Sequence, residues 1–209
     1  MNSYKQIADH YNSCFEKHGA TPKGLDWDNQ ENLNKRYQVM LGLLPQERDE
    51  YPTMLDFGCG YGGIYEYIQN RRRDITYVGL DINKKLLEQA YNSYPDQTWH
   101  LLDIHNQEFE FSQLPNFDYV ICNGTFTVKH TLTQNEMWKF MTESLEKLWT
   151  KTNKGIAFNC MSKILDYERE DLFHVSFDEL SMWIYKYLSS KFTIRQDYGL
   201  REFTMYVYK

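Results

Sequence analysis

The sequence predicts an α/β domain: a mostly parallel sheet with helices on both faces. Two observations lead there. From Thr53 onward, short apolar runs alternate with segments of helical periodicity. The stretch from Lys191 to Lys209 then reads as two strands joined by a turn, which adds one antiparallel strand to a parallel set. With 209 residues, 42% of them hydrophobic, the chain can bury one continuous core.

The first 50 residues hold two helices, Tyr4 to Glu16 and Asn29 to Leu44, the second with Leu33, Tyr37, Met40, Leu41 and Leu44 at helical spacing. They read as a helical cover belonging to the same domain, whose core runs over 51–209. Between them lies "HGATPKGLDWDN", an irregular segment punctuated by Gly19, Pro22 and Gly24. The strands that follow are "TMLDF", "ITYVGL" ending at Asp81, "TWHLL" ending at Asp103, "FDYVIC" and "GIAFNCM". Ile64 to Asn70 and Lys84 to Tyr94 supply the first two crossover helices. Thr133 to Trp149 carries Met137, Phe140, Met141, Leu145 and Leu148 on one face, with Thr133 and Glu136 spaced as a capping box. The interval from His105 to Leu114 offers at most one short helix. Ser176 and Glu179 repeat the capping-box spacing before "LSMWIYKYLSS". "KFTIRQDY" and "REFTMYVYK" close the chain as strands around a tight turn at Tyr198 to Leu200, near one sheet edge. No internal repeat or low-complexity linker divides it.

Composition narrows the function. The 29 acidic residues exceed the 23 basic ones, giving a net charge of -6, which weighs against a phosphate backbone as partner. Cys14, Cys59, Cys122 and Cys160 form no CxxC pair and read as reduced thiols. No run approaches the roughly 18 apolar residues of a membrane span, and "MNSYKQIADHYNSC" lacks a signal-peptide core, so a cytoplasmic protein is expected. The 17 tyrosines suit a ring-lined pocket or a spread between core and surface.

The chemistry concentrates at "LDFGCGYGG", where Asp56 ends a strand and Gly58, Gly60, Gly62 and Gly63 follow. Glycines allow a tight turn and close approach of a ligand to the backbone, and the next helix opens with unpaired amides. Gly58, Gly60 and Gly63 also satisfy GxGxxG, with Asp81 eighteen residues later, so this motif alone admits a dinucleotide enzyme or a plain strand-helix connection.

Taken together, "MLDFGCGYGG", "YVGLDIN", "LLDI" and "FDYVICNGTF" resemble, in order and approximate distance, the four motifs of the class I S-adenosylmethionine-dependent methyltransferases. The resemblance covers Met54 to Lys209, and the N-terminal helices resemble the cover of small-molecule members. It implies a Rossmann-like seven-stranded sheet with a reversed last strand, in agreement with the terminal hairpin. It also implies S-adenosylmethionine as cofactor and S-adenosylhomocysteine as product. A metal is not expected, because the sulfonium methyl needs only alignment and exclusion of water.

On this resemblance Asp81 accepts from the ribose hydroxyls, with Ile82 beside it; its alternative is to cap the next helix. Asp56 orders the glycine loop or receives the methionine ammonium through water, or is satisfied by local amides. Gly58, Gly60 and Tyr61 surround the methionine part, unless Tyr61 is the first solvent-facing residue of the helix. Asp103 accepts from the adenine amine, Ile104 contacts its face, and Phe126 packs on adenine or acceptor. Asn123 faces the donor methyl and orients an acceptor hydroxyl or amine. "NGTF" matches the first and fourth positions of the Asn-Pro-Pro-aromatic motif of adenine and glutamine methyltransferases, but Gly124 and Thr125 replace the prolines that stiffen it.

A small metabolite or sugar-derived acceptor, methylated on oxygen or nitrogen, is therefore expected. A protein side chain, or a non-catalytic partner protein with the same fold, is the alternative. His130 is the candidate general base, and His18 a second catalytic candidate within the cover. Tyr11 and Trp27 would enclose the acceptor. Lys129 and Arg36 would attract an acidic group on it, unless Lys129 is solvated and Arg36 pairs with Glu31 or Glu47. His10, His100, His105 and His174 show no spacing that argues for metal or catalysis.

Overall fold

A computed structural model describes residues 4–45, 51–71 and 75–209. The expected boundary between cover and core, at 50/51, adjoins residues 46–50, which lie outside the described residues.

The cover contains α1 (Lys5–His18), a 3₁₀ turn (Pro22–Leu25) and α2 (Gln30–Leu41). Asn29 starts α2 by accepting from the Asn32 amide at 2.9 Å. The core then alternates: β1 (Thr53–Phe57), α3 (Gly63–Gln69), β2 (Thr76–Asp81), α4 (Lys84–Ser93), β3 (Thr98–Leu101), α5 (Glu108–Gln113) and β4 (Phe117–Cys122). It continues through α6 (Gln134–Thr150), β5 (Thr152–Ser162), β6 (His174–Val175), α7 (Phe177–Tyr187), β7 (Phe192–Arg195) and β8 (Glu202–Tyr208).

Seven strands run in the order β3-β2-β1-β4-β5-β8-β7, and β6 adds a short parallel pair at the end of β5. Strands β1 to β5 are parallel, and β8 is antiparallel to both β5 and β7. This is the Rossmann-like seven-stranded sheet with one reversed strand. Its central strands are apolar on both faces because helices cover both. Leu55, Val120, Ile156 and Phe158 face one core, shared with α6 and α7, while Met54, Ile121 and Ala157 face the other, shared with α2 and α3. The α1 helix packs on α4 and on the 3₁₀ turn, across the edge where the parallel strands end.

Two local expectations are corrected. The Thr133–Glu136 capping box forms, but Ser176 makes no side-chain cap, so α7 opens instead with Asp178 and Glu179 in its first turn, where carboxylates suit the helix dipole. The β7–β8 connection spans 196–201 rather than a tight turn, because its own side chains organise it: Arg195 pairs with Asp197, and the Tyr198 hydroxyl lies 3.0 Å from that of Thr204.

Candidate functional site

The carboxyl ends of β1, β2 and β4 converge on one cavity roofed by α1 and the 3₁₀ turn. Its floor is the glycine loop. Gly58 has φ 78°, and a Cβ there would run into the Thr125 hydroxyl, which itself donates to the Phe57 carbonyl at 2.9 Å. The β1 and β4 loops therefore touch only because residue 58 lacks a side chain.

Asp56 lies below this loop, 2% exposed, and accepts the Tyr77 hydroxyl at 2.7 Å. Burial pushes its carboxyl up to about 7; the Tyr77 hydrogen bond opposes the rise and the charge of Asp81 adds to it. Asp81 accepts from the amides of Gly60 and Asn83, each at 2.8 Å, which ties the end of β2 to the glycine loop. Burial raises its carboxyl and these amides lower it, with a net rise. Capping of α4, the alternative role for Asp81, falls to Asn83, whose Oδ1 accepts from the Leu86 amide at 3.2 Å.

At the other end, the Tyr4 hydroxyl donates to the Asp103 carboxylate, and Asn106 donates to the Tyr4 oxygen at 2.8 Å. Burial pulls the Asp103 carboxyl up, but donors from Asn106, Tyr4 and the His105 amide, with the charge of Lys5, outweigh it and hold it low. The Tyr4 ring stacks on Phe140, with centroids 4.9 Å apart. Asn123 lines the remaining wall, and its buried Oδ1 has no hydrogen-bond partner among the described residues. An orphaned buried carbonyl costs free energy, and a ligand N–H or O–H would relieve it.

Of the residues singled out in the sequence, Asp56, Gly58, Gly60, Asp81 and Ile82 line this cavity, as do Asp103, Ile104 and Asn123. Tyr11 and Trp27 line it from the cover. The others lie elsewhere. Tyr61 is buried beside Phe15 and Tyr37, neither solvent-facing nor on the cavity wall. Phe126 is fully buried among Phe57, Phe140 and Phe158, so it belongs to the core rather than to a ligand surface. His18 is the last residue of α1, off the cavity wall. Lys129 and His130 line a separate surface groove, because both backbone amides donate to the Asp171 carbonyl and turn the loop away. Lys129 Nζ donates to the Leu132 carbonyl at 3.3 Å, and the His130 ring lies 5.2 Å from that of His10.

Arg36 pairs with Glu202 at 2.9 Å. Glu31 pairs with Lys35 instead, and Glu47 lies outside the described residues. His10, whose spacing argues for neither metal nor catalysis, has Nε2 2.9 Å from Asp26 Oδ2 and 3.7 Å from Cys14 Sγ.

Sequence reasoning placed Tyr11 in the roof but missed Tyr4, Ile7 and Ala8, which line the cavity with it; their i, i+3, i+4, i+7 spacing was the available signal. It also missed Asn159, a lone polar residue within the apolar run of β5, and Glu202, the first residue of β8.

Residues 55–148 match the family model described as "Methyltransferase domain". The chain is 26% identical over 158 residues to the candidate methyltransferase Rv1506c of Mycobacterium tuberculosis, covering 74% of this chain and 91% of that one. It is 22% identical over 171 residues to the malonyl-acyl-carrier-protein O-methyltransferase of Halalkalibacterium halodurans, covering 80% of this chain and 60% of the relative. The crystal structure of magnesium protoporphyrin IX methyltransferase from Synechocystis PCC 6803 with bound S-adenosylhomocysteine superposes with a TM-score of 0.70 at 13% identity, covering 99% of both chains. No described helix is long and apolar enough to cross a membrane.

Proposed function

We propose, from the match of residues 55–148 to a methyltransferase-domain model, that the protein is a class I S-adenosylmethionine-dependent enzyme that methylates oxygen or nitrogen of a small acceptor. The observation that carries the acceptor reading is Asn123, a cavity-lining residue whose buried Oδ1 is left without a partner among the described residues.

The residues present suit the cofactor. Carboxylates of Asp81 and Asp103 flank a glycine loop in which the Gly58 position leaves no room for a Cβ. Asp81 would hold the ribose hydroxyls and Asp103, with Ile104, the adenine, since ionised carboxylates offer several acceptor sites. When bound, S-adenosylmethionine supplies an electrophilic methyl on a sulfonium sulfur.

The protein's part is alignment and exclusion of water. Asn123 Oδ1 accepts the hydrogen of an acceptor O–H or N–H and so aims the lone pair of that atom. An amide does not take up a proton at neutral pH, so the task of Asn123 is orientation. Tyr11, Trp27 and α1 close the cavity from above and keep water out. Of the two basic residues expected to hold an acidic acceptor, Arg36 is committed to Glu202 and Lys129 lines the separate groove, which supports an acceptor without a phosphate or carboxylate at the reacting end.

Calorimetry with S-adenosylmethionine, S-adenosylhomocysteine and NAD tests the cofactor. Tight NAD binding without either sulfur ligand would sink the reading. Methyl incorporation from labelled S-adenosylmethionine, followed in the low-molecular-weight and protein fractions of a cell extract, tests the acceptor class. Label confined to protein would reject a small molecule. Asn123→Ala is expected to retain cofactor binding and lose turnover.

A further inference from the structure

The loop that carries Asn123 is held from three distant parts of the chain. The Gly124 amide donates to Asn159 Oδ1 on β5 at 2.7 Å. Asn159 Nδ2 donates to Glu202 Oε1, at the start of β8, at 2.9 Å. Glu202 accepts from Arg36 of α2 through Nε, at 3.0 and 2.9 Å, and pairs with its second guanidinium nitrogen at 2.9 Å. The outer face of the same guanidinium lies on the Trp27 ring, 3.9 Å from its centroid. The Trp27 ring returns to the start, because a Cβ on Gly124 would stand 2.6 Å from Trp27 Cζ2.

We propose that Arg36, Glu202 and Asn159 are positioning residues for methyl transfer, a buried relay that fixes the Asn123–Gly124 peptide and thereby aims Asn123, while Arg36 holds Trp27 as the facing wall. This rests on the methyl-transfer reading of the cavity.

The geometry explains how the relay acts. The amide held by Asn159 belongs to the peptide that joins Asn123 to Gly124, so holding its plane restrains ψ of Asn123 and the Cα frame from which that side chain projects. The other polar atom of Gly124 is also committed, since its carbonyl accepts the Thr127 hydroxyl at 2.8 Å. Gly124 is then locked at φ 80°, a conformation reserved for glycine. Asn159 is fully buried and Glu202 is 1% exposed. Burying a charge pair is a costly way to fill space, and an apolar pair of similar volume serves stability as well or better. What an apolar pair lacks is a directional acceptor for Asn159, and that direction passes along the relay to Asn123.

The deciding variant is the double substitution Arg36→Met with Glu202→Leu, because replacing both members of a buried pair by apolar residues preserves folding where removing one does not. It is compared with Asn159→Ala and with Glu202→Gln, which keeps an acceptor for Asn159. S-adenosylhomocysteine affinity is measured by calorimetry, and methyl incorporation into a metabolite extract at saturating S-adenosylmethionine. The double variant and Asn159→Ala are expected to bind S-adenosylhomocysteine as the parent does and to transfer methyl about 10- to 100-fold more slowly, the scale of a misplaced reacting group. Glu202→Gln should fall between them and the parent. Parental transfer rates in variants that bind S-adenosylhomocysteine overturn the proposal. If the parent itself labels nothing in the extract, the acceptor reading fails. The relay is then judged on hydrogen exchange of the Gly124 amide with S-adenosylhomocysteine bound, where faster exchange in the variants upholds it and equal protection overturns it.

Discussion

The Tyr4 hydroxyl spans both oxygens of the Asp103 carboxylate, at 2.9 and 3.0 Å, and so stands against one of the residues expected to receive adenine. The cavity beneath measures about 120 Å³, below the roughly 300–1,000 Å³ usual for sites that enclose drug-sized ligands. A nucleoside that reached Asp103 would have to displace the Tyr4 hydroxyl from it. Tyr4→Phe is expected to speed association of S-adenosylhomocysteine about tenfold, the effect of losing one hydrogen bond to a charged group. Stopped-flow mixing measures it; an unchanged association rate removes Tyr4 as the latch.

Asp81 joins β2 to the glycine loop through the Gly60 amide. Asp81→Ala removes that acceptor and the proposed ribose contact, so affinity for S-adenosylhomocysteine should fall by roughly 10- to 100-fold. Calorimetry decides the point. Undiminished affinity would take Asp81 out of the site.

Asp56 predicts a pH dependence of stability in the unliganded protein. Its carboxyl titrates at about 7 when folded, against about 3.9 in the unfolded chain. Between these values the folded state keeps a proton that the unfolded state has released. The contribution is full below the unfolded value and is lost as pH rises through 7, at about 1.4 kcal/mol per pH unit and on the order of 4 kcal/mol in all. Asp56→Asn still accepts from Tyr77 and should abolish this slope. Melting temperatures of both proteins from pH 4 to 8 test it, and parallel profiles would refute it.

Gly124→Ala should destabilise the fold by about 1–3 kcal/mol through its positive φ and further through collision with Trp27. Combining it with Trp27→Leu should recover the collision component but not the backbone component. A double-mutant cycle from denaturant titrations measures the coupling; strictly additive effects would show that the two residues do not press on each other.

Strands β1, β2, β4 and β5 are legible in the sequence because each is a short apolar run ended by an acidic or small residue, and a parallel sheet covered on both faces demands that pattern; β3, with no buried residue, is legible from its place between α4 and Asp103. Asp56, Gly58, Gly60, Asp81, Asp103 and Asn123 are legible for the same reason, since a strand end is a fixed address. Residues placed by loops and helix ends are not. His130 follows β4 by only a few positions, yet the β5–β6 connection captures its amide through the Asp171 carbonyl and carries it off the cavity. Phe126 reads as a pocket ring and sits in the core, because the chain turns inward directly after Gly124. Arg36 shows its charge in the sequence but not its partner, since Glu202 lies 166 residues away.

The reversal of β8 has a consequence for biosynthesis. Because this strand runs opposite to β5, its first residue rather than its last reaches the sheet edge that holds the cavity, and that residue is Glu202. A growing chain can pair β1, β4 and β5 before β8 exists, yet Asn159 then has no carboxylate to meet and Arg36 no counterion. A chain halted before Glu202 would therefore carry the cofactor strands while lacking the brace that aims Asn123.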